Sequence, residues 1–267
     1  FGSGDITANE VGGGVIIDAN GDSNNGHDAL TGELAVNLSD DASGVTVRTG
    51  TNATFVTGDN GSAAIDAGTL AIDTDLTLSG SSSYTVTGLV GNVVTNNASG
   101  TLNVTTANAT DDEIAIETSA GETTINANGS SDNILVDASD LADDTAVNLN
   151  GANSFDVSSL GGDLVADGGA GALTIELSDA TDINIQTARA GTVNASSLAV
   201  GNTLELGGAG AITVNDVDAD IDASGVGDGE ILTGDLTINT EAIDVATNDV
   251  MTITTGSAST TVNGVDA

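Results

Sequence analysis

The sequence predicts an all-β protein whose fold is a parallel β-solenoid, that is, a β-roll or β-helix. Apolar residues come in short alternating runs that Gly, Ser, Asn, Asp and Thr separate, which is typical of strands and turns. These runs recur with a period of about 19 to 20 residues per coil, in two main strand rows. The chain has 267 residues and no proline, although a usual frequency of about 5% would give roughly a dozen. Because proline is excluded from central strands, its absence favours a backbone that is paired nearly everywhere.

The stretch from Ile114 to Leu141 shows the repeating unit most clearly. It contains three β-type runs, at 114–116, 124–127 and 134–136, with turn-forming residues between them. Two strands and two turns per coil place a parallel sheet on each of two broad faces, with alternate side chains pointing inward. A three-sided β-helix is the alternative if some of the turns are strands. The half-repeat of about ten residues favours two sheets.

The predicted strand centres define the two rows. The first row comprises Ile16, Val36, Val56, Leu76, Val94, Ile114, Ile134, Phe155, Leu173, Val193, Ile212, Ile231 and Val250. The second row comprises Val47, Ile65, Val86, Val104, Ile125, Val147, Leu164, Ile183, Leu204, Ile221, Ile243 and Val262. We expect residues 1–14 to form an irregular N-terminal cap or linker and residues 15–267 to form a single continuous β-solenoid.

The charge of the chain restricts its partners. It has 40 acidic and two basic residues, and a formal net charge of −38. Nucleic acid is excluded as a partner because phosphate binding needs clustered Lys and Arg. No apolar run approaches the roughly 20 residues of a membrane span, so we expect no membrane insertion. Disorder is disfavoured because the mean hydropathy is positive, and the dense carboxylates are expected to attract divalent cations.

A recurrent hexapeptide is predicted to form a structural corner. The sequence pattern apolar-(Asp or Asn)-Ala-Ser-x-apolar occurs at 136–141, 193–198 and 221–226, where small residues suit a tight turn after a strand. The alternative, that the serine is a nucleophile, lacks a base because the only histidine is His27. Glycan-cleaving β-helices need paired carboxylates or a basic residue beside aromatic platforms, and this chain has no Trp and one Tyr. We therefore predict that the protein is not an enzyme.

Several turns before the first row of strands carry a possible ligand set for calcium. The best matches are Gly26-His27-Asp28-Ala29-Leu30, Asp111-Asp112-Glu113-Ile114, Gly129-Ser130-Ser131-Asp132-Asn133-Ile134 and Gly151-Ala152-Asn153-Ser154-Phe155. They resemble the nonapeptide G-G-x-G-x-D-x-U-x of repeats-in-toxin (RTX) proteins, in which U is a large apolar residue. The resemblance implies that Asp28, Asp112, Asp132 and Asn153 are oxygen ligands of Ca²⁺. A solvated acidic turn is the alternative. The runs at 168–175 and 207–214 depart from the family, since they keep the glycines but place Leu173 and Ile212 where Asp belongs.

The resemblance to the tandem nonapeptide covers about four turns, and strings such as LNVTTANATDDEIAIETSAGETTINANGSSDNI at 102–134 are more similar to the degenerate solenoid regions of calcium-dependent bacterial S-layer proteins and large RTX surface adhesins. The resemblance implies a non-enzymatic structural protein at the cell surface or outside the cell, in a surface layer, a surface filament or an adhesin. The partners it implies are further copies of the chain in head-to-tail contact, divalent cations and cell-surface polysaccharide. The alternative function is an ice- or glycan-binding module, which predicts a flat run of outward Thr on one sheet. A polysaccharide-active β-helix enzyme is the third hypothesis.

Overall fold

A computed structural model describes residues 2–21, 28–107, 113–127, 133–178, 182–199, 201–225, 230–240 and 251–264. Within these ranges the secondary structure is β-strand and turn, without a helix. One parallel sheet of 13 strands contains the odd-numbered strands, and a second of 12 strands contains the even-numbered strands. Successive strands alternate between the two sheets, so each coil contributes one strand to each. The predicted fold class, a two-row parallel β-solenoid, is confirmed.

The strands are short and evenly distributed along the chain. The odd-numbered strands are β1 Ile6–Val11, β3 Leu34–Leu38, β5 Thr54–Thr57, β7 Asp75–Gly80, β9 Asn92–Ala98, β11 Ile114–Glu117, β13 Asn133–Asp137, β15 Ser154–Leu160, β17 Leu173–Leu177, β19 Gly191–Asn194, β21 Ile212–Val217, β23 Leu236–Thr240 and β25 Thr260–Asn263. The even-numbered strands are β2 Ile16–Asp18, β4 Val45–Arg48, β6 Ser62–Asp66, β8 Ser83–Leu89, β10 Leu102–Thr106, β12 Thr123–Ala127, β14 Ala146–Gly151, β16 Asp163–Ala166, β18 Ile183–Thr187, β20 Thr203–Gly207, β22 Asp220–Asp222 and β24 Ile253–Thr254.

The chain divides into two compact units, unit 1 over Phe1–Leu135 and unit 2 over Val136–Ala267. In unit 1 the stretch predicted as an irregular cap contains β1, which pairs in parallel with β3. The predicted domain limits are otherwise untested and stay a prediction.

Most predicted strand centres lie in the predicted sheet, and the exceptions fall near the two ends of the sequence. Ile16 lies in β2 and Val262 in β25, each in the sheet opposite to its predicted row, and Ile231 lies outside the strands. Ile243 and Val250 fall outside the described residues. The reason is coil length: β1 and β3 are offset by 28 residues, and β21 and β23 by 24. The extra residues lie in longer turns. A strand position predicted with a constant step of about 20 residues therefore falls in the wrong sheet or outside the strands.

The core of each unit consists of the inward side chains of both sheets. In β12 and β18 every second residue is buried, and the buried residues of the chain are mostly Val, Ile, Leu and Ala. Equivalent positions pack directly on one another in successive coils, as in the pairs Val36–Val56 and Val47–Ile65. Hydrophobic burial of this kind is the main favourable term in folding, and here it repeats in each coil.

The predicted corners are confirmed as structural turns. At three of them the side chain after the strand accepts a hydrogen bond from the backbone N–H two residues later. The three pairs are Asp137 with Ser139 at 3.0 Å, Asn194 with Ser196 at 3.1 Å and Asp222 with Ser224 at 2.9 Å. The alanine between each pair is fully buried. In these turns the Asp or Asn fixes the bend, and alanine is small enough to enter the core.

Among the described residues of unit 1, Tyr84 is the largest fully buried side chain. Its hydroxyl group donates a hydrogen bond to the backbone carbonyl of Ser79 at 2.6 Å. Burial disfavours the charged phenolate and raises the pKa of Tyr84 to about 12.

The core predicts the outcome of a matched pair of substitutions in unit 1. Ile65→Ala removes a side chain that is 0% exposed and should lower the free energy of unfolding by about 2–5 kcal/mol. Ile72→Ala, at a position that is 49% exposed, should change it by about 0.5 kcal/mol or less. Denaturant titration followed by circular dichroism measures both. Equal effects would contradict the assignment of Ile65 to the core.

The burial of Tyr84 predicts an unusual titration. Tyr84 is the only tyrosine and the chain has no tryptophan, so ultraviolet absorbance reports this group alone. The midpoint should lie near 12 in the folded protein and near the ordinary value of about 10 in denaturant. Between these values the unfolded chain loses the proton first, so stability should fall as the pH rises from about 10 to about 12. A midpoint near 10 in the folded protein would show that the phenol is exposed.

Candidate functional site

The outward face of the odd-numbered sheet in unit 2 carries two regular rows of polar side chains. Strands β19, β21, β23 and β25 repeat the tripeptide Thr-(Val or Ile)-Asn, with the aliphatic residue between the two polar ones. The threonine row is Thr174, Thr192, Thr213, Thr237 and Thr261, and the asparagine row is Asn194, Asn215, Asn239 and Asn263. In each row the residues are direct partners in the register of the sheet. We call these nine side chains the Thr-Asn face.

Three of the four residues in the asparagine row, Asn215, Asn239 and Asn263, are joined by hydrogen bonds between their side chains, whereas Oδ1 of Asn194 accepts from the N–H of Ser196. The Nδ2 group of Asn239 donates to Oδ1 of Asn215 at 2.7 Å, and Nδ2 of Asn263 donates to Oδ1 of Asn239 at 2.8 Å. All these amides therefore point the same way along the sheet. Such ladders fix the side-chain rotamers and reinforce the stacking of identical residues.

The Thr-Asn face is uncharged although the chain carries 40 acidic residues. Acidic side chains occur at its border, where Asp156 pairs with Thr174 and Glu176 pairs with Asn194. In unit 1 one outward position of the odd-numbered sheet is mixed, since Ala35, Phe55, Thr77 and Val94 follow one another in register. The other position is a polar row of Asn37, Thr57, Ser79 and Asn96, in which Asn37 donates to Asn9 at 2.7 Å. The pair of regular threonine and asparagine rows is thus a feature of unit 2.

A second site in unit 2 is built around the buried guanidinium group of Arg189. Its Nε donates to the carbonyl of Asp167 at 2.9 Å, and its Nη1 donates to the carbonyl of Asn153 at 3.0 Å. Nη2 donates to the carbonyl of Gly151 and to the carboxylate of Asp167, both at 2.8 Å. The guanidinium also lies 5.0 Å from the ring centroid of Phe155, within the range of a cation–π contact. Arg189 therefore joins backbone from three successive coils.

The glycines of the run at 168–171 have a steric role at this site. A Cβ atom on Gly171 would overlap the carbonyl of Asn153, and one on Gly169 would overlap the carbonyl of Gly151 and the Arg189 side chain. Neighbouring coils thus approach one another too closely for any other residue. This explains why the run keeps these two glycines, and Leu173, which follows them, is a buried residue of β17.

The sequence-predicted metal ligands can be placed only in part. Asn153 is buried, and its backbone carbonyl accepts a hydrogen bond from Nη1 of Arg189. Asp28 is exposed and lies two residues before Leu30, whose N–H donates to the carbonyl of Ala19 at 2.9 Å. Asp112 and Asp132 lie outside the described residues. Within the described part of the chain, no group of three or more His, Cys, Asp or Glu side chains could hold a metal ion. The calcium ligand set stays a prediction.

Three aspartates in or directly before strands of the even-numbered sheet in unit 2 bind backbone of the next coil. Asp163 accepts from the N–H of Asn184 at 3.0 Å, Asp182 from that of Thr203 at 2.7 Å and Asp220 from that of Thr252 at 2.6 Å. Each therefore satisfies a backbone donor at the start of the next strand of this sheet. These acids contribute to the coil-to-coil contact.

Asp163 shows that this arrangement has an electrostatic cost. Burial raises the pKa of its carboxyl group, the hydrogen bond from Asn184 opposes the rise, and the nearby charge of Asp144 adds to it. The folded protein therefore keeps this proton to a higher pH than the unfolded chain. Stability from this group falls as the pH rises through the window between the two pKa values.

An open pocket of about 400 Å³ lies on the even-numbered sheet of unit 2. Its lining includes Val165, Gln186, Gly208 and Glu230, and the side-chain carbonyl of Gln186 accepts from the N–H of Glu230 at 3.3 Å. Glu230 is the one carboxylate among the described lining residues. This chemistry is that of a mostly uncharged cleft.

Comparisons with known proteins leave the family open. No protein-family model matches the chain, and no curated protein or solved structure matches it either. No helix in the described ranges has the length and apolar character needed to cross a membrane.

Sequence reasoning missed two features of unit 2. The tripeptide Thr-(Val or Ile)-Asn is visible at 192–194, 213–215, 237–239 and 261–263, but unequal spacing conceals that its copies are in register. The role of Arg189 left no local signal, because its partners are 22 to 38 residues away. The scarcity of basic residues was the only indication that each could have a special position.

The two arginines of the chain form a matched pair for mutation. Arg189→Met should lower the free energy of unfolding by about 3 kcal/mol, because the buried carbonyl of Asn153 and the part-buried carbonyls of Gly151 and Asp167 lose a donor. Arg48→Met should cost less than about 1 kcal/mol, since its ion pair with Asp18 is exposed. Both variants lose one positive charge, so the difference between their unfolding free energies reports the effect of burying the guanidinium group of Arg189. Denaturant unfolding measures it, and equal costs would rule out a structural role specific to Arg189.

Proposed function

We propose that this chain is a segment of a non-enzymatic extracellular structural protein, namely an acidic β-solenoid of a bacterial surface layer, surface filament or large adhesin. The observation that supports the proposal most directly is the repetition of one coil in two parallel sheets. A protein built this way has backbone hydrogen bonds that run in one direction and a core of constant composition. Such an architecture suits a mechanical or spacing role.

Polar groups of the coil support the same role. Aspartate side chains bind the backbone of the next coil, the asparagine row links three coils, and Arg189 links three more. Each of these hydrogen bonds joins one coil to another. In this proposal the mechanism is stiffness, and the coil-to-coil contacts supply it.

Divalent cations are the proposed stabilising partners. The chain has two basic residues to balance 40 acidic ones, so carboxylate repulsion is relieved by ions from solution. The turn at Asn153 illustrates the chemistry, because carbonyl and carboxylate oxygens converge there on a positive group. Such oxygens are also the ligands that Ca²⁺ prefers. Further copies of the chain in head-to-tail contact, and cell-surface polysaccharide, complete the set of proposed partners.

The cation part of the proposal predicts a rise in melting temperature with calcium. Millimolar Ca²⁺ should raise the melting temperature by several degrees relative to chelator, because bound or condensed cations reduce repulsion only in the compact state. Circular dichroism during heating measures the shift. NaCl at matched ionic strength is the control for screening, and its effect should be smaller.

Site-directed variants separate specific from diffuse binding. Asp112→Asn with Asp132→Asn should remove most of the calcium-specific shift, whereas Asp143→Asn with Asp144→Asn changes the charge equally and should leave it. The same melting temperature in chelator and in Ca²⁺ would remove calcium from the proposal. Turnover of uronic-acid polymers at catalytic concentrations of the protein would overturn its non-enzymatic part.

A further inference from the structure

The Thr-Asn face presents hydrogen-bonding groups that repeat in two directions. Between coils the repeat is the strand separation of about 4.8 Å, and between the two rows it is two residues of strand, about 6.6 Å. Backbone pairing fixes the first repeat, and the strand geometry fixes the second. The side chains therefore form a small lattice and not a scattered polar surface.

The groups on this lattice are suited to water. A primary amide has two N–H donors and two acceptor lone pairs, so a ladder that uses one of each leaves the others for solvent. Threonine offers a hydroxyl group beside a methyl group, and its β-branch restricts the rotamers in a strand. Thr192 and Thr261 are exposed, and Thr213 and Thr237 are partly exposed. The result is a fixed alternation of donors, acceptors and methyl groups.

The charge of the face limits the class of ligand. The nine side chains of the two rows are uncharged, although the exposed Asp216 follows Asn215 in β21 and the chain has a net charge of −38, so the rows themselves offer a ligand hydrogen bonds and no ion pair. No aromatic side chain lies in the two rows. A soluble ligand needs only a few convergent groups, whereas a two-dimensional repeat is useful toward a ligand that is itself a lattice of donors and acceptors.

We propose that the Thr-Asn face binds ice. In this role the hydroxyl and amide groups anchor a layer of ordered water that joins the crystal surface, and the methyl groups exclude disordered water between the rows. This function goes beyond the structural role proposed above and does not depend on calcium or on assembly. It uses one sheet of unit 2 only.

The test is the effect of the full chain on ice growth. The wild-type protein should retard recrystallisation of polycrystalline ice and show thermal hysteresis with faceted crystals. Thr213→Tyr with Thr237→Tyr should reduce both effects at least tenfold, because two bulky rings disrupt the lattice while tyrosine remains a good strand former. The matched control is Thr85→Tyr with Thr124→Tyr, at outward positions of the even-numbered sheet, which should keep wild-type activity.

Several results would overturn the proposal. These are wild-type protein that leaves ice growth unchanged, face variants that keep full activity, and control variants that lose as much activity as the face variants. Binding to crystalline chitin or cellulose without an effect on ice would assign the face to a polysaccharide instead. Melting curves of the variants test whether a loss of activity comes from loss of the fold. Thr213→Val with Thr237→Val, which conserves the shape of the side chains, is a second variant pair, and its effect on ice growth should be intermediate.

Discussion

Parallel pairing between each strand and its equivalent in the next coil is the constraint on which this structure depends. In each sheet the register places inward residues on inward residues and outward residues on outward ones, for example Val56 with Leu78 and Thr213 with Thr237. A substitution in one coil is therefore felt by two neighbours. The same pairing forces every outward residue into a row, so any recurrent tripeptide becomes a periodic surface.

The many carboxylates of this chain destabilise the compact state by repulsion, but some of them also form hydrogen bonds between coils. Forty acidic residues repel one another in the compact state, yet several aspartates accept backbone N–H groups that begin the next strand. Arg189 performs the complementary task, since it donates to backbone carbonyls of the two preceding coils. Acid and base thus both act as coil-to-coil connectors, and the rest of the negative charge is left to solution ions.

The two ends of the sequence show why coil length matters less than register. The coil lengthens from about 20 residues to 24 between β21 and β23 because its turns are longer, and Ile212 still pairs with Leu236. Turns tolerate insertion because the added residues need not enter the core. The glycines at 169 and 171 are the opposite case, since the close approach of coils there excludes any side chain.

The sequence by itself determined the strands, their two rows and the inward residues, because alternation of apolar and polar residues is a local property. It also determined the corners, in which Asp137 or Asn194 bends its own backbone within two residues. Only the tertiary structure decided which copies of a pattern stack. Spacings of 18, 21 and 24 residues hide the register of Thr174, Thr192, Thr213 and Thr237, and the partners of Arg189 come from other coils. The physical reason is that pairing between coils is non-local: the backbone ladder selects partners, and turn lengths adjust to it.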